Sequence, residues 1–322
     1  MIKNKRIVIT GGSGFIGTNA VGYFSDNNEV LNLDCKEPRN KKHIPFWRKV
    51  NILDKSELGE IIKTFDPHFF IHLAATTDLF GKSIDYYEAN TTGVENVNVC
   101  LKSGVSIERV IFTSTKLVCK NGYTPTDFDN YCPDTLYGKS KEIGEKIIKN
   151  DSAIEYSWII IRPTSIWGPW FEEPYRKFFE YVQKRKYVHI NKEGLFKSYG
   201  YVGNIIFQIE RILLSDHKYD KDTFFVSDYD PIEIGKWADL ISKCYGVKKP
   251  IRVPVWPLSI AAKLGDLSKI VIRNPPLTSF RLNNILTEAI LDLSKTKEVC
   301  GNLPYSVENG VEETVEFLNG SY

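Results

Sequence analysis

One stretch near the start constrains this chain more than any other. Arg6-Ile7-Val8-Ile9-Thr10 is a β-branched run that leads into Gly11-Gly12-Ser13-Gly14-Phe15-Ile16-Gly17, after which the residues take up a helical spacing. A buried strand that turns through glycine into a helix leaves few folds open. The spacing of Gly11, Gly14 and Gly17 is G-x-x-G-x-x-G, one residue different from the common dinucleotide fingerprint, with the same physical need. Glycine lets the backbone turn tightly and approach a pyrophosphate, whose charge then faces the N-terminus of the helix. Gly11, Gly14, Phe15, Ile16 and Gly17 are therefore candidate nucleotide contacts. Asp34 closes the second β-branched run, Glu29–Asp34. A carboxylate there can accept both ribose hydroxyls of an adenosine and repels a 2′-phosphate, which favours NAD; Lys36 and Arg39 nearby keep NADP open.

The first half continues to alternate short apolar runs (Phe69–Leu73, Arg109–Thr113, Ser157–Arg162) with helical segments at Gly14–Ser25, Lys55–Thr64, Ile84–Leu101 and Leu136–Lys149. Asp54 stands as an N-cap before Lys55-Ser56-Glu57, in a capping-box arrangement with Glu57. That alternation predicts an α/β fold with a Rossmann-type doubly wound parallel sheet. The expected division is a nucleotide-binding domain over residues 1–165 and a smaller mixed α/β substrate lobe over 166–322. The chain is expected to return to the first unit around 202–232. Trp167-Gly168-Pro169-Trp170-Phe171-Glu172-Glu173-Pro174 is rich in turn formers and aromatics, as loops over a ligand often are. Further helices are expected near Arg176–Lys184, Val202–Leu214 and Glu233–Cys244.

Composition narrows the function classes. With 322 residues, 42% hydrophobic and 25% charged, the chain has material for a sizeable core. Its 42 basic and 40 acidic side chains leave a net charge of +2, which gives no general drive toward nucleic acid or an acidic membrane. The basic start is followed by only Ile7-Val8-Ile9 before glycines, too short for an export signal. No stretch approaches the ~18 apolar residues of a membrane span. The expectation is a cytoplasmic protein without a membrane partner, whose six scattered cysteines are reduced thiols. His43, His68, His72, His189 and His217 are dispersed, and no metal site is expected.

Reaction chemistry concentrates later. Tyr137 and Lys141 are four residues apart and share a face on a helix. Oxidising an alcohol requires removal of the hydroxyl proton as hydride leaves the carbon. A phenol with a pKa near 10 is a poor base unless a neighbouring ammonium or a helix N-terminus lowers it. Lys141 can also hold a nicotinamide ribose. The pair alone is a weak signal. Upstream, Arg109–Thr113 runs into Ser114 and Thr115, placing hydroxyls at the carboxyl end of a strand, where open α/β sheets bind ligands. A hydroxyl there can bond the substrate oxygen and steady its developing charge. Tyr137, Lys141 and Thr115 are the candidate catalytic residues.

These features in this order resemble the extended short-chain dehydrogenase/reductase family, the sugar-nucleotide epimerases and dehydratases. The likeness also takes in His72-Leu73-Ala74-Ala75, Asn90 with Gly93, Phe112–Val118, Pro133–Glu145, Ile161-Arg162-Pro163 with Gly168-Pro169, and Leu291–Pro304. The resemblance implies that Leu73, Ala74 and Ala75 line the cofactor, that Asn51 and Ile52 meet the adenine, and that Pro163 begins the segment beside the nicotinamide. It implies substrate contacts at Thr77, Thr115, Lys197 and Arg281, with Lys197 and Arg281 against a diphosphate. It also implies a homodimer built on the helices at Ile84–Leu101 and Leu136–Lys149.

Departures from the family pattern are informative. Asn51 stands where the adenine residue is usually Asp. Thr115 is followed by Lys116-Leu117, not by the Asp-Glu that eliminates water in 4,6-dehydratases, so dehydration is not expected. Val118-Cys119-Lys120 replaces V-Y-G, Val202-Gly203-Asn204 replaces V-x-D, and Ser165 replaces a diphosphate-binding Asn of many UDP-sugar epimerases. The expected activity is an NAD-dependent 4-epimerase of a nucleotide-sugar. The alternatives are an NAD(P)H-dependent 4-keto-sugar reductase, a sugar 4-dehydrogenase, or a non-catalytic NAD-sensing protein. The region Leu267–Leu293 bears a faint likeness to steroid-type dehydrogenases of the same family.

Overall fold

The computed structural model describes residues 1–102, 104–123, 125–191, 194–268 and 278–320, except the side chains of residues 280, 281, 284 and 285. The first half follows the alternation in the sequence. The chain runs through β1 (Arg6–Thr10), α1 (Phe15–Ser25), β2 (Glu29–Asp34), β3 (Trp47–Lys49), α2 (Lys55–Phe65) and β4 (Phe69–His72). It continues with α3 (Thr92–Leu101), β5 (Arg109–Thr113), α4 (Leu136–Lys149) and β6 (Trp158–Pro163). β7 (Ser165–Trp167), α5 (Tyr175–Gln183), β8 (Val188–Ile190), β9 (Phe196–Lys197), β10 (Tyr199–Tyr201), α6 (Val202–Leu213) and β11 (Thr223–Val226) come next. The remainder is β12 (Ile232–Glu233), α7 (Ile234–Cys244), β13 (Ile251–Val253), α8 (Val255–Ser268), α9 (Ser279–Leu286), α10 (Ser294–Cys300) and α11 (Val307–Leu318).

Seven strands form one parallel sheet in the order β11-β6-β5-β4-β1-β2-β3. Parallel strands buried on both faces need unbroken apolar runs, which is why these strands read as RIVIT, FFIH and WIIIRP. Successive residues point to opposite faces and enter different cores. Ile7, Ile9, Ile71, Ile111, Ile159 and Ile161 pack with α1 and α6, whereas Val8, Phe70, Val110, Phe112 and Ile160 pack with α2 and α3. β11 joins the sheet from the second half of the chain, pairing with β6 from Thr223↔Ile160 to Val226↔Pro163. Beyond the sheet, three two-stranded ribbons (β7–β10, β9–β12 and β8–β13) and the last helices complete the fold.

Two local details test the sequence reading. The Asp54 carboxylate accepts from the Glu57 N–H at 3.1 Å, a cap worth about 1 kcal/mol. The helix expected over Ile84–Leu101 is instead broken. Asp85–Asn90 is a 3₁₀ segment with Tyr87 off helical geometry, Thr91 is non-helical, and α3 begins at Thr92. The break occurs where the buried Asn90 carboxamide leaves the helix to serve other elements.

Candidate active site

The chain reverses direction across the sheet between β1 and β4, and the crevice at such a switch point is where open α/β sheets bind ligands. Gly11, with φ +73°, sits at its floor; a Cβ there would lie 2.6 Å from the Ala74 nitrogen. A Cβ on Gly17 would lie 2.1 Å from the Gly11 carbonyl oxygen. The Gly14 N–H closes the turn on the Gly11 carbonyl at 3.0 Å, and Gly14 caps α1 with no side-chain bond. The result is a backbone cradle at a helix N-terminus, shaped for a pyrophosphate. Phe15 and Ile16 open α1, and the half-buried Leu73, Ala74 and Ala75 form the opposite wall.

Asp34 ends β2 beside this cradle. Its carboxylate accepts from the Ser13 N–H at 3.1 Å and the Lys36 N–H at 2.9 Å. Arg39 reaches across to donate to the carbonyls of Ser13 and Trp170, and it pairs with Glu172 at 2.9 Å. This guanidinium therefore ties the glycine loop to the aromatic loop after β7. Asn51 is exposed and spends its side-chain oxygen on the Leu53 N–H at 3.1 Å; Ile52 is buried against Gly93.

Tyr137, Lys141 and Thr115 converge at the ends of β5 and α4, all at most 9% exposed. Thr115 caps the short turn Lys116–Val118, accepting from the Leu117 N–H, and its hydroxyl also bonds the Tyr137 phenol. The Lys141 ammonium donates to the Thr113 carbonyl at 2.6 Å. α4 comes this close because Gly138 has no side chain: a Cβ there would meet the Leu117 carbonyl oxygen at 2.2 Å. Asn90 supplies the second clamp. It donates to Ser140 Oγ at 2.9 Å and exchanges hydrogen bonds with both backbone groups of Thr76.

The electrostatics differ from the simple expectation of a lowered phenol. Burial pushes Tyr137 up to about 12, only partly opposed by the Thr115 hydrogen bond. Burial also brings Lys141 down to about 8, with Glu145 pulling the other way. The ammonium is committed to the Thr113 carbonyl, and at the phenol desolvation is the largest influence. His72 is held near 3 by burial and by Lys141, hence neutral, and its Nδ1 lies 2.7 Å from Thr10 Oγ1. Thr113 Oγ1, Ser114 Oγ and His72 Nε2 are buried without a hydrogen-bond partner among the described residues.

Other expected residues fall around this centre. Pro163 is buried at the end of β6, and Thr77 is exposed on the loop after β4. Lys197 is buried on β9 and donates to the Thr287 carbonyl. The Arg281 side chain lies outside the described residues. Sequence reasoning assigned no role to Lys116, whose ammonium burial brings down to about 8, with Lys197 adding repulsion. It likewise missed the fully buried Arg162–Glu145 pair, joined through Nε–Oε1 at 2.8 Å and Nη2–Oε2 at 2.7 Å. An isolated arginine at a strand end carries no signal of its partner 17 residues away.

Residues 7–202 match the model of the NAD dependent epimerase/dehydratase family. The chain belongs to that family. Members of the NAD dependent epimerase/dehydratase family are enzymes of the oxidoreductase type, and the glycine cradle, strand-end carboxylate and Tyr-Lys helix fit an NAD cofactor. Similar proteins include the Escherichia coli O157:H7 N-acetyl-alpha-D-glucosaminyl-diphospho-ditrans,octacis-undecaprenol 4-epimerase, 23% identical over 98% of this chain and 95% of that protein. The Saccharomyces cerevisiae sterol-4-alpha-carboxylate 3-dehydrogenase, decarboxylating, is 24% identical over 99% of both. Among solved structures, UDP-glucuronic acid 4-epimerase from Bacillus cereus in complex with NAD superposes with a TM-score of 0.74 at 17% identity, covering 98% of this chain and 99% of that one.

Proposed function

We propose that this enzyme is a 4-epimerase of a nucleotide-linked sugar. The observation that carries the reading is the buried convergence of Tyr137, Thr115 and Lys141 beside the glycine cradle. NAD, which Gly11–Gly17, Asp34, Ile52, Leu73–Ala75 and Pro163 would hold, would supply a hydride acceptor and donor. Thr115 holds the sugar hydroxyl oxygen, and the Tyr137 oxygen takes its proton and later returns it. Lys141 binds the cofactor ribose and keeps a positive charge near the phenol. Residues 1–165 carry the nucleotide in this reading and contribute Thr77 and Thr115 to the substrate site, and 166–322 hold the rest of the substrate, with Lys197 among its contacts. 4-Epimerase names among the similar proteins and the absence of an acid pair after Thr115 support this reading.

The test is mass spectrometry of nucleotides released from denatured protein, with a panel of UDP-sugars assayed for epimers. Co-purified NAD and an interconverted 4-hydroxyl support the proposal. Stoichiometric NADH without any epimer rejects it. Net oxidation of an alcohol is the second reading, favoured by the likeness to the yeast sterol dehydrogenase; consumption of added NAD would distinguish it. We further propose a homodimer through α3 and α4, whose outer surfaces carry Val99, Ile143 and Ile147 around one groove. Light scattering at micromolar concentration showing only the 36.9 kDa chain would contradict it.

A further inference from the structure

The helix α8 departs from the usual arrangement of a surface helix. Its inner side packs Ala262, Leu258 and Val255 with Ile190, Leu195, Leu282 and Leu286. Its outer side should be polar. Instead Trp256, Ile260, Leu264 and Leu267 are 67%, 54%, 60% and 68% exposed. Their spacing of four, four and three places them in one stripe along the helix. Four large apolar side chains in line on water are not scattered surface residues, and such a patch marks a contact surface.

Charge selects the partner. From residue 243 to the end of α8 at residue 268 the sequence holds five lysines and arginines and a single acidic residue, Asp266. Lys248, Lys249, Arg252 and Lys263 are exposed, with Asp239 pairing Lys249 and Arg252. The whole-chain charge of +2 hides this local excess.

We infer that the outward face of α8 is a docking surface for an anionic lipid bilayer. An apolar stripe led by tryptophan, with Lys263 on the same helix and the exposed Lys248 on the segment before it, is the chemistry of a helix that lies in the membrane interface. Two copies of this chain meeting face to face would bring like charges together, which disfavours a self-contact. No helix among the described residues is long and apolar enough to cross a membrane, so the attachment is peripheral. The surface also connects to the candidate substrate wall. Leu195, two residues before Lys197, packs beneath α8, and Thr287, just past α9, accepts from Lys197. The inference stands apart from the proposed reaction and goes beyond the net-charge argument, which sees only the whole chain.

The test is co-sedimentation of the full chain with phosphatidylcholine vesicles, with and without phosphatidylglycerol. Wild type is expected to bind the anionic vesicles and to dissociate at high salt. The triple variant Trp256→Ser, Ile260→Ser, Leu264→Ser should lower the partition by at least about tenfold, with melting temperature and NAD content unchanged. Lys248→Glu with Lys263→Glu should abolish the preference for anionic lipid. Wild type that binds neither vesicle, or a triple variant that binds as wild type does, overturns the inference. A triple variant that dissociates a dimer in the absence of lipid would also overturn it, by assigning the face to a contact between copies.

Discussion

The Lys141 ammonium lies 2.6 Å from the Thr113 carbonyl oxygen and fastens the helix that carries Tyr137 to the strand that leads to Thr115. Together with the Thr115–Tyr137 bond and the Asn90 clamp, that bond holds the two halves of the candidate catalytic group in place. It also keeps a charge buried, with consequences for pH. A folded-state pKa near 8 against an ordinary 10.5 means that the folded protein binds fewer protons than the unfolded chain between those values. Stability contributed by Lys141 should therefore rise as pH goes from about 8 to 10.5, by an order of 3 kcal/mol. Denaturant melts across that window should show the rise in wild type, and Lys141→Met should remove its share, leaving the share of Lys116, which burial also brings down to about 8.

Tyr137→Phe keeps the ring packed against Tyr87, 6.1 Å away between centroids, and removes only the oxygen bonded to Thr115. Turnover should fall by about 10²–10⁴-fold while NAD stays bound. A fall of less than about threefold would remove the acid/base role from this residue.

Gly17→Ala places a Cβ 2.1 Å from the Gly11 carbonyl oxygen, where no flexible side chain can give way. The glycine loop must shift, at a cost of about 1–3 kcal/mol. The expected result is protein purified without nucleotide, read by absorbance and mass spectrometry of the denatured sample.

Asp34→Ala removes the carboxylate at the end of β2. If it holds the adenosine ribose through charge-assisted bonds of about 1.5–3 kcal/mol, NAD affinity should drop roughly 10–100-fold. NADP affinity should drop less, since the repulsion of a 2′-phosphate goes with it. Competition calorimetry with both nucleotides measures the ratio.

Glu145→Ala leaves the Arg162 guanidinium, 0% exposed, among Phe128, Tyr131 and Phe225 without its counter-charge. Breaking a buried pair in this way should cost about 3–5 kcal/mol in chemical denaturation. Replacing both residues, Glu145→Leu with Arg162→Met, should recover most of that loss.

The sequence alone determined the sheet and the placing of Tyr137 and Lys141 on one helix. Runs such as RIVIT and WIIIRP are too apolar for anything but strands covered on both faces, and the glycines that follow Thr10 admit few uses other than a phosphate turn. α4 spans the expected range, Leu136–Lys149, and the Tyr137–Lys141 spacing gave its face; the structure adds the Thr135 cap, which accepts from the Gly138 N–H. Tertiary structure decided what depends on partners remote in sequence. It ended the helix expected at Ile84 because the Asn90 carboxamide is claimed by Thr76 and Ser140. It set the sign of the Tyr137 shift, since desolvation belongs to the packed site and not to the i,i+4 spacing. Only packing shows which side of α8 is covered, because its composition is apolar nearly all round, and periodicity cannot tell a buried stripe from one left facing solvent.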